Sequence, residues 1–303
     1  MMYKIAHITD LHLKKIDVKE HKKRAHELLE SIKENNCDHV LLTGDIVDNT
    51  EDKDFKSVRR MFKKYDLLDP EKLSVTIGNH DLFGGPTTPD NLFYFPTKCK
   101  TTDYNAAVTN FFHQFRETFK TAELFGGPKV FPYQKIVLDK VAVIGVNSVA
   151  MWSKIGNPVA SNGAIYTEQY ENLKEILHSE KIKDKFKIVL IHHHFNKIDK
   201  ESKNIAHSLW LKIEQRTMRL HNKKRLFRLF KAAGVKLILH GHTHICESYT
   251  RKGSMFVNSS GCVVPFTENK IRQYNIINIP KDPSNMNYKI ETINLKSNSD
   301  LSK

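Results

Sequence analysis

Short apolar runs alternate with segments of helical periodicity along most of the chain. Runs of four to eight apolar or β-branched residues between turn-forming residues are typical of buried strands. We predict strands at 3–9, 39–43, 73–77, 134–138, 141–146, 186–191, 235–240, 272–279 and 288–295. Helical periodicity predicts helices at about 18–35, 51–65, 105–120, 167–181 and 208–233. This alternation indicates an α/β protein.

The last part of the chain does not alternate between strands and helices. No helical pattern separates the segments 247–260, 272–279 and 288–295, so we predict that these strands are antiparallel. Two sheets packed face to face, with helices outside, would satisfy the whole pattern.

Two segments interrupt the alternation. Residues 84–133 are rich in Gly, Pro and Phe, and residues 195–232 contain eleven Lys or Arg against three Asp or Glu. The first segment is either an apolar lid over a site or a small packed helical subdomain. The second suits an anionic amphiphile or a membrane surface, or is a core-facing helix with a solvated basic side. We predict one domain over 1–295 with these insertions, then a polar tail at 296–303.

The charge of the chain changes the expected partners. A formal net charge of +14 and a pI near 9.4 favour nucleic acid, an acidic membrane surface or a phosphorylated small substrate. The alternative is a generally Lys-rich proteome, since lysines are scattered along the chain.

The cysteine spacing and the hydropathy of the chain indicate the cellular compartment of the protein. Cys37, Cys99, Cys246 and Cys262 form no CxxC pair, which favours free thiols in a reducing environment. The N-terminus lacks signal-peptide features, and no apolar run approaches the roughly 18 residues of a membrane span. We therefore expect a soluble cytoplasmic protein, and peripheral contact with an anionic membrane stays open.

Five short polar motifs follow five predicted strands. They are Asp10-Leu11-His12, Gly44-Asp45-Ile46-Val47-Asp48, Gly78-Asn79-His80-Asp81, His192-His193-His194 and Gly241-His242-Thr243-His244. Open α/β sheets bind ligands at the carboxyl ends of their strands, so we expect these motifs to converge on one crevice. Carboxylate, imidazole and Asn carbonyl donors suit a pair of divalent metals such as Mn, Fe, Zn or Ni.

Each motif has an ordinary alternative explanation. Asp45 alone is a good N-cap for the 51–65 helix, and a single buried His is commonly a hydrogen-bonded core residue. The metal prediction rests on the order, the residue types and the strand-end positions taken together.

This order of motifs resembles the calcineurin-like metallophosphoesterase superfamily. Its pattern is D-x-H, G-D-x-x-D, G-N-H-[DE], an isolated His and G-H-x-H, and every element is matched between Asp10 and His244, about four-fifths of the chain. The resemblance implies an α/β fold, a four-layer α/β/β/α sandwich of two mixed sheets. The chain looks most similar to the bacterial cyclic-nucleotide phosphodiesterase and UDP-diacylglucosamine pyrophosphatase branches.

The resemblance also implies roles for individual residues. The first metal would be held by Asp10, His12 and His244, the second by Asn79, His192 and His242, and Asp45 would bridge the two. His192 is chosen among the three consecutive histidines because it directly follows the strand at 186–191. His80 and Asp81 would be catalytic: His80 would stabilise charge or protonate the leaving oxygen, and Asp81 would orient His80 or a ligating His. Asp48 is expected to be a cap or a supporting residue.

The predicted activity is hydrolysis of a phosphoester by two divalent ions (Mn, Fe or Zn), with a metal-bridging hydroxide as nucleophile. The favoured substrate is a small or lipid-linked anionic phosphodiester or diphosphate. A nuclease of the same superfamily is an alternative that the net charge supports, although such enzymes usually carry an added DNA-binding domain and little chain follows His244. A non-catalytic binding module is a third alternative, against which the complete motif set argues.

Overall fold

The computed structural model describes residues 1–14, 19–85, 91–195, 218–264, 271–282 and 284–295. The strands are β1 (Met2–Ile8), β2 (His39–Thr43), β3 (Leu73–Thr76), β4 (Glu123–Leu124), β5 (Tyr133–Val137), β6 (Val141–Val146), β7 (Phe186–Ile191), β8 (Leu237–His240), β9 (Cys246–Arg251), β10 (Ser254–Ser259), β11 (Arg272–Pro280) and β12 (Lys289–Leu295). The α-helices are α1 (Lys19–Glu34), α2 (Asp52–Lys64), α3 (Asn79–Phe83), α4 (Asn91–Thr101), α5 (Tyr104–Gln114), α6 (Thr167–His178) and α7 (Lys223–Ala232). Short 3₁₀ turns lie at Arg116–Phe119, Gly127–Lys129 and Glu180–Ile182.

The strands form two mixed sheets, as predicted. The five-stranded sheet has the order β12-β11-β1-β2-β3, and the seven-stranded sheet has the order β4-β5-β6-β7-β8-β10-β9. In the first sheet β1, β2 and β3 are parallel, and in the second β6, β7 and β8 are parallel. The carboxyl ends of these central strands carry the polar motifs.

The last strands of the chain were predicted to be antiparallel. This prediction is correct for most of their pairings and wrong for one. β11 is antiparallel to β1 and β12, and β9 is antiparallel to β10. However, β10 also runs parallel to β8, with Phe256 opposite Ile238. Most of β10 is buried, as is typical of an interior strand. A hairpin strand with one solvated face would alternate between buried and exposed residues.

Three apolar clusters separate four layers. The first joins α1 and α2 to the five-stranded sheet, and the second joins α6 and α7 to the seven-stranded sheet. The third lies between the sheets, where Ile5 and Leu41 share a cluster with Val143, Leu190 and Leu239. Helices therefore cover the outer faces of both sheets, which confirms the predicted α/β/β/α fold.

The described part of the first insertion packs against the core. Phe111, Phe115 and Phe119 are buried in the first cluster, whereas Phe93 and Tyr94 on α4 are exposed. This supports the interpretation as a packed helical subdomain. The helix α4 was not predicted, and it contains Pro96, a residue that disfavours a helix interior.

The second insertion is only partly described. Residues 196–217 lie outside the described residues, and with them Leu209, Trp210 and the first half of the predicted 208–233 helix. In α7 the apolar side chains of Leu226, Phe227 and Phe230 are buried in the second cluster, as expected for a core-facing helix. The polar tail at 296–303 is also outside the described ranges. Within those ranges no helix is long and apolar enough to span a membrane.

Candidate metal centre

The structure brings all seven predicted metal ligands together at one edge of the sandwich. They come from the segments after β1, β2 and β3 in one sheet and after β7 and β8 in the other. The ligands are Asp10, His12, Asp45, Asn79, His192, His242 and His244. Two groups made only of predicted ligands, Asp10/His12/His244 and Asp45/His192/His242, each have their ligand atoms within 4.8 Å of one another. A third such group joins His12 and Asp45 to His80.

Electron-rich atoms face one another in both groups. In the first, Nε2 of His12 lies 3.1 Å from Nε2 of His244 and 4.0 Å from a carboxylate oxygen of Asp10. In the second, Nε2 of His192 lies 3.1 Å from Nδ1 of His242 and 3.2 Å from the side-chain Oδ1 of Asn79. Where the atoms that face one another carry lone pairs, a shared positive charge between them would stabilise the arrangement.

In two histidines, a hydrogen bond from the outer ring nitrogen fixes the tautomer. Nδ1 of His192 donates to the carbonyl of Thr43 at 2.8 Å, and Nδ1 of His244 donates to the carbonyl of Val264 at 3.1 Å. In the neutral rings, the lone pair is therefore on the Nε2 atom that faces into the cluster. This backbone support of the outer nitrogen is the usual arrangement of a metal-binding His.

The carboxylate of Asp45 lies between the two groups. Its Oδ2 is 3.7 Å from Nε2 of His12 and 3.3 Å from Nε2 of His192. Its Oδ1 accepts the backbone N–H of His80 at 2.8 Å. One carboxylate thus faces both groups, as a residue shared by two ions would.

The backbone at the cluster is unusual. Positive φ angles occur at five of the seven predicted ligands: Asp10 (53°), His12 (44°), Asp45 (50°), His242 (77°) and His244 (54°). Left-handed conformations are uncommon for residues other than Gly and collect at functional sites where the surroundings hold them in place. Here Gly78 permits the close approach of two loops, since a Cβ at that position would lie 2.2 Å from Oδ1 of Asp45.

The three consecutive histidines have different partners. His192 enters the cluster, whereas His193 uses Nδ1 with the hydroxyl of Ser148 at 2.8 Å and Nε2 with the carbonyl of Ser161 at 3.2 Å. The ring of His194 is stacked at an angle of 25° to that of His242, with 6.1 Å between the ring centroids. The geometry therefore favours His192 as the ligand.

The electrostatics of the site favour a bound cation. Burial would raise the pKa of Asp45, but His192, His80 and His12 outweigh it and hold that pKa well below the usual range. Burial lowers the pKa of His80 and of His192, yet the charge of Asp45 leads the effects that raise each to about 9. The negative potential around Asp45 that produces these shifts is also the potential that a divalent ion would experience.

One buried nitrogen supports the same conclusion. Nε2 of His242 is buried and has no hydrogen-bond partner in the described ranges. Burial is the largest cause that lowers the pKa of His242 well below 6.5, so the ring is neutral and its nitrogens can act as ligands. The residues present fit a pair of divalent ions.

His80 is the more accessible histidine beside Asp45. Its side chain is 23% exposed, against 8% for His12 and 0% for His192. Its Nδ1 lies 3.3 Å from Oδ1 of Asp48, and Nδ1 of His12 lies 3.4 Å from the same oxygen. Lys14 pairs with the other oxygen of Asp48. Asp48 therefore joins His80 to the metal cluster, which agrees with the supporting role expected for it; the two histidines that it contacts were not predicted.

Asp81 has a different set of contacts. Its carboxylate accepts the backbone N–H groups of Ile46 at 2.9 Å, Val47 at 3.1 Å and Gly78 at 2.9 Å. Burial and the charge of Asp45 raise its pKa to about 7. Asp81 thus connects the loop after β2 to the start of α3, and the carboxylate beside the His80 ring is that of Asp48.

A family model described as calcineurin-like phosphoesterase matches residues 3–246. The chain belongs to this family. The match confirms the predicted metal-dependent phosphoester hydrolase and the dinuclear metal centre of the family. A search of curated protein sequences finds no match to this phosphoesterase.

Solved structures of similar fold include three hydrolases. A dimetal phosphatase from Danio rerio has a TM-score of 0.61 at 9% identity, over 97% of this chain and 99% of that one. A purple acid phosphatase from yellow lupin (Lupinus luteus) seeds has a TM-score of 0.55 at 11% identity, over 97% and 52%. A 5'-nucleotidase precursor from Thermus thermophilus has a TM-score of 0.50 at 12% identity, over 97% and 55%. At these identities the likeness concerns the fold.

Proposed function

We propose that this phosphoesterase hydrolyses the phosphodiester or diphosphate bond of a small or lipid-linked anionic substrate. The observation that carries the proposal is the position of Asp45, whose single carboxylate faces both groups of ligand atoms. Asp10, His12 and His244 would hold one ion, and Asn79, His192 and His242 the other. The mixed nitrogen and oxygen donors suit Mn, Fe or Zn.

Two bound divalent ions would activate a water molecule and neutralise charge on the phosphate oxygens. The chain supplies the rigid frame for this chemistry. The Asp10 carboxylate accepts the backbone N–H of His242 at 3.0 Å and the hydroxyl of Ser260 at 2.5 Å, which fixes its orientation. Preorganised groups of this kind need no rearrangement when charge develops on the substrate.

His80 is the residue that we propose contacts the substrate. It contacts Asp45 through its backbone N–H, and its ring is held by Asp48 at the accessible side of the cluster. A proton held on the outer nitrogen of this ring can be donated to the leaving oxygen, or can stabilise the negative charge of the phosphate. The proposed role of Asp81 is to hold the loop that positions Asp45 and His80.

A substrate panel tests the proposal. The metal-stripped protein is reconstituted with Mn and assayed with bis-p-nitrophenyl phosphate, p-nitrophenyl phosphate, cyclic AMP, UDP-diacylglucosamine and single-stranded DNA. We expect turnover of a diester or diphosphate that is abolished by a chelator. Turnover of p-nitrophenyl phosphate alone would contradict the proposed bond specificity. No turnover with two metals bound would contradict hydrolysis of these substrate classes.

The same panel separates the remaining alternatives. A lipid-linked substrate predicts activity that needs detergent or bilayers, together with association of the protein with anionic vesicles. The second candidate is a nuclease, which the net charge of +14 favours. Nuclease binding should weaken steeply with salt because phosphate contacts release counterions, whereas a small substrate should show little salt dependence.

A further inference from the structure

The exposed side of α2 carries a row of cations. Lys56, Arg60, Lys63 and Lys64 are exposed, and we call them the α2 basic face. Their spacing of four and then three to four residues places them on one side of the helix, with about 6 Å along the axis between Lys56 and Arg60.

These four cations are not neutralised by neighbouring acids. In the described residues no ion pair involves any of them, whereas nearby cations are paired. Arg59 makes a two-pronged contact with Glu117 at 2.7 and 2.9 Å, and Lys53 lies 2.5 Å from Glu51. The α2 basic face therefore presents uncompensated positive charge to the solvent.

Two surface depressions lie on either side of this row. One, of about 680 Å³, is lined by five cations, one acid and one apolar residue: Lys53, Lys56, Arg59, Arg60, Lys63, Asp52 and Leu68. The other, of about 330 Å³ between α1 and α2, is lined by Lys22, His26, Ser57, Arg60, Met61 and Lys64. Burial lowers the pKa of His26, and the charges of Lys64 and Lys22 lower it further, as expected in a region of positive potential. Arg60 borders both depressions.

We propose that the α2 basic face binds the phosphate backbone of a nucleic-acid duplex. The charges are complementary, and several unpaired cations along one side of a helix can contact successive phosphates of a backbone. The proposal concerns a surface outside the metal centre and is independent of which phosphoester is hydrolysed.

The burial of the apolar side of α2 argues against insertion into a bilayer and against stacking on a single strand. Phe55, Val58, Met61 and Phe62 are all buried, so α2 offers no apolar side chain for insertion into a bilayer. The same burial leaves no aromatic ring of α2 on which the bases of a single strand could stack. Contacts to the backbone of an intact duplex need neither feature.

The test is a binding titration with the metal-loaded protein. A fluorescent 20-base-pair DNA duplex is titrated at 50 and 200 mM salt, and its length is checked on a denaturing gel afterwards. Four phosphate contacts predict a slope of about −3.6 in log affinity against log salt, or about a 150-fold loss over this range. In the K56Q/R60Q/K63Q/K64Q variant the magnitude of this slope should fall by about three to four.

A charge-matched variant is the control. Lys154, Lys174, Lys181 and Lys183 are exposed and lie outside α1 and α2, so replacing them with Gln removes the same net charge. We expect this variant to bind the duplex like the unmodified protein, and both variants to keep its melting temperature. Equal binding by the two variants would overturn the proposal. It would also be overturned if the duplex failed to bind at 50 mM salt while phosphatidylserine vesicles bound through the α2 cations.

Discussion

The side chain of Asp48 lies between His80 and the metal cluster. Its Oδ1 is 3.3 Å from Nδ1 of His80 and 3.4 Å from Nδ1 of His12. The two contacts orient both rings from one carboxylate, so the position of the accessible histidine is linked to that of a predicted metal ligand. Burial opposes ionisation of Asp48, but the histidines outweigh it and lower its pKa well below the usual range.

Replacing His80 should separate turnover from metal binding. His80→Ala removes the ring held by Asp48 but none of the seven predicted ligands, so we expect both metals to be retained. The rate should fall by about 10²–10⁴-fold, the usual contribution of a positioned proton donor. Metal content and kcat with bis-p-nitrophenyl phosphate measure the two effects. His178→Ala, an exposed substitution on α6, is the control and should change neither.

Asp45→Asn should remove metal and nearly all activity. Asn keeps the size of the side chain and tolerates the left-handed backbone, but it takes away the charge that faces both groups. The metal-to-protein ratio after gel filtration is the measurement. Asp66→Asn is a matched control, because Asp66 is exposed and has a φ of 54° against 50° for Asp45. Two retained metals and normal turnover in Asp45→Asn would refute the assignment of the shared ligand.

Gly78→Ala should disturb the predicted metal site, because the added methyl group would collide with Asp45. The added Cβ would lie 2.2 Å from Oδ1 and 2.3 Å from the backbone N of Asp45, so one of the two loops must move. We expect weaker metal binding, read as a higher metal concentration for half-maximal activity. Gly156→Ala is the comparison, because its nearest neighbour would be the Ser153 hydroxyl at 3.4 Å. Equal metal dependence of the two variants would argue against a tight contact at Gly78.

The aromatic cluster of the first insertion should contribute strongly to stability. The ring of Phe115 is fully buried and lies 5.0 Å from that of Phe111 and 6.2 Å from those of Phe55 and Phe62. Phe115→Ala should lower the free energy of unfolding by about 3–5 kcal/mol. Phe93→Ala, at a side chain that is 85% exposed, should change it by about 0.5 kcal/mol or less. Urea denaturation compares the two variants, and similar losses would contradict the packed subdomain.

Glu117 should make stability depend on pH in a defined window. Its contact with Arg59 is the largest effect that lowers its pKa from 4.5 to about 2. A pKa lowered by folding gives stability that is complete above 4.5 and is lost as pH falls toward 2. Between pH 5 and 3 the unmodified protein should therefore lose more free energy of unfolding than Glu117→Gln. Because both side chains are partly exposed and solvent screens the pair, the difference should be about 1 kcal/mol or less. Parallel pH profiles would rule out this contribution.

The sequence by itself determined the elements and the edge at which the site forms. Strand and helix periods are local properties of the chain, and the predicted strands at β1, β2, β3, β7 and β8 are present. Each predicted ligand follows one of these strands closely. Because parallel strands end at one edge of a sheet, convergence of the motifs within each sheet could be expected from their order. The packing of the two sheets then brings the two sets of motifs together.

The strand-end position already favoured His192 in the sequence, but only the tertiary structure shows which contacts separate the roles of neighbouring residues of one type. Among the consecutive histidines, Thr43 orients His192 into the cluster, while Ser148 and Ser161 hold both nitrogens of His193. Between the two acids near His80, the turn into α3 directs Asp81 to backbone N–H groups and leaves Asp48 beside the ring. The parallel pairing of β10 with β8 likewise depended on burial in the assembled sheet. Contacts such as His242 N–H to Asp10, 232 residues apart, exist only after folding, so no local pattern specifies them.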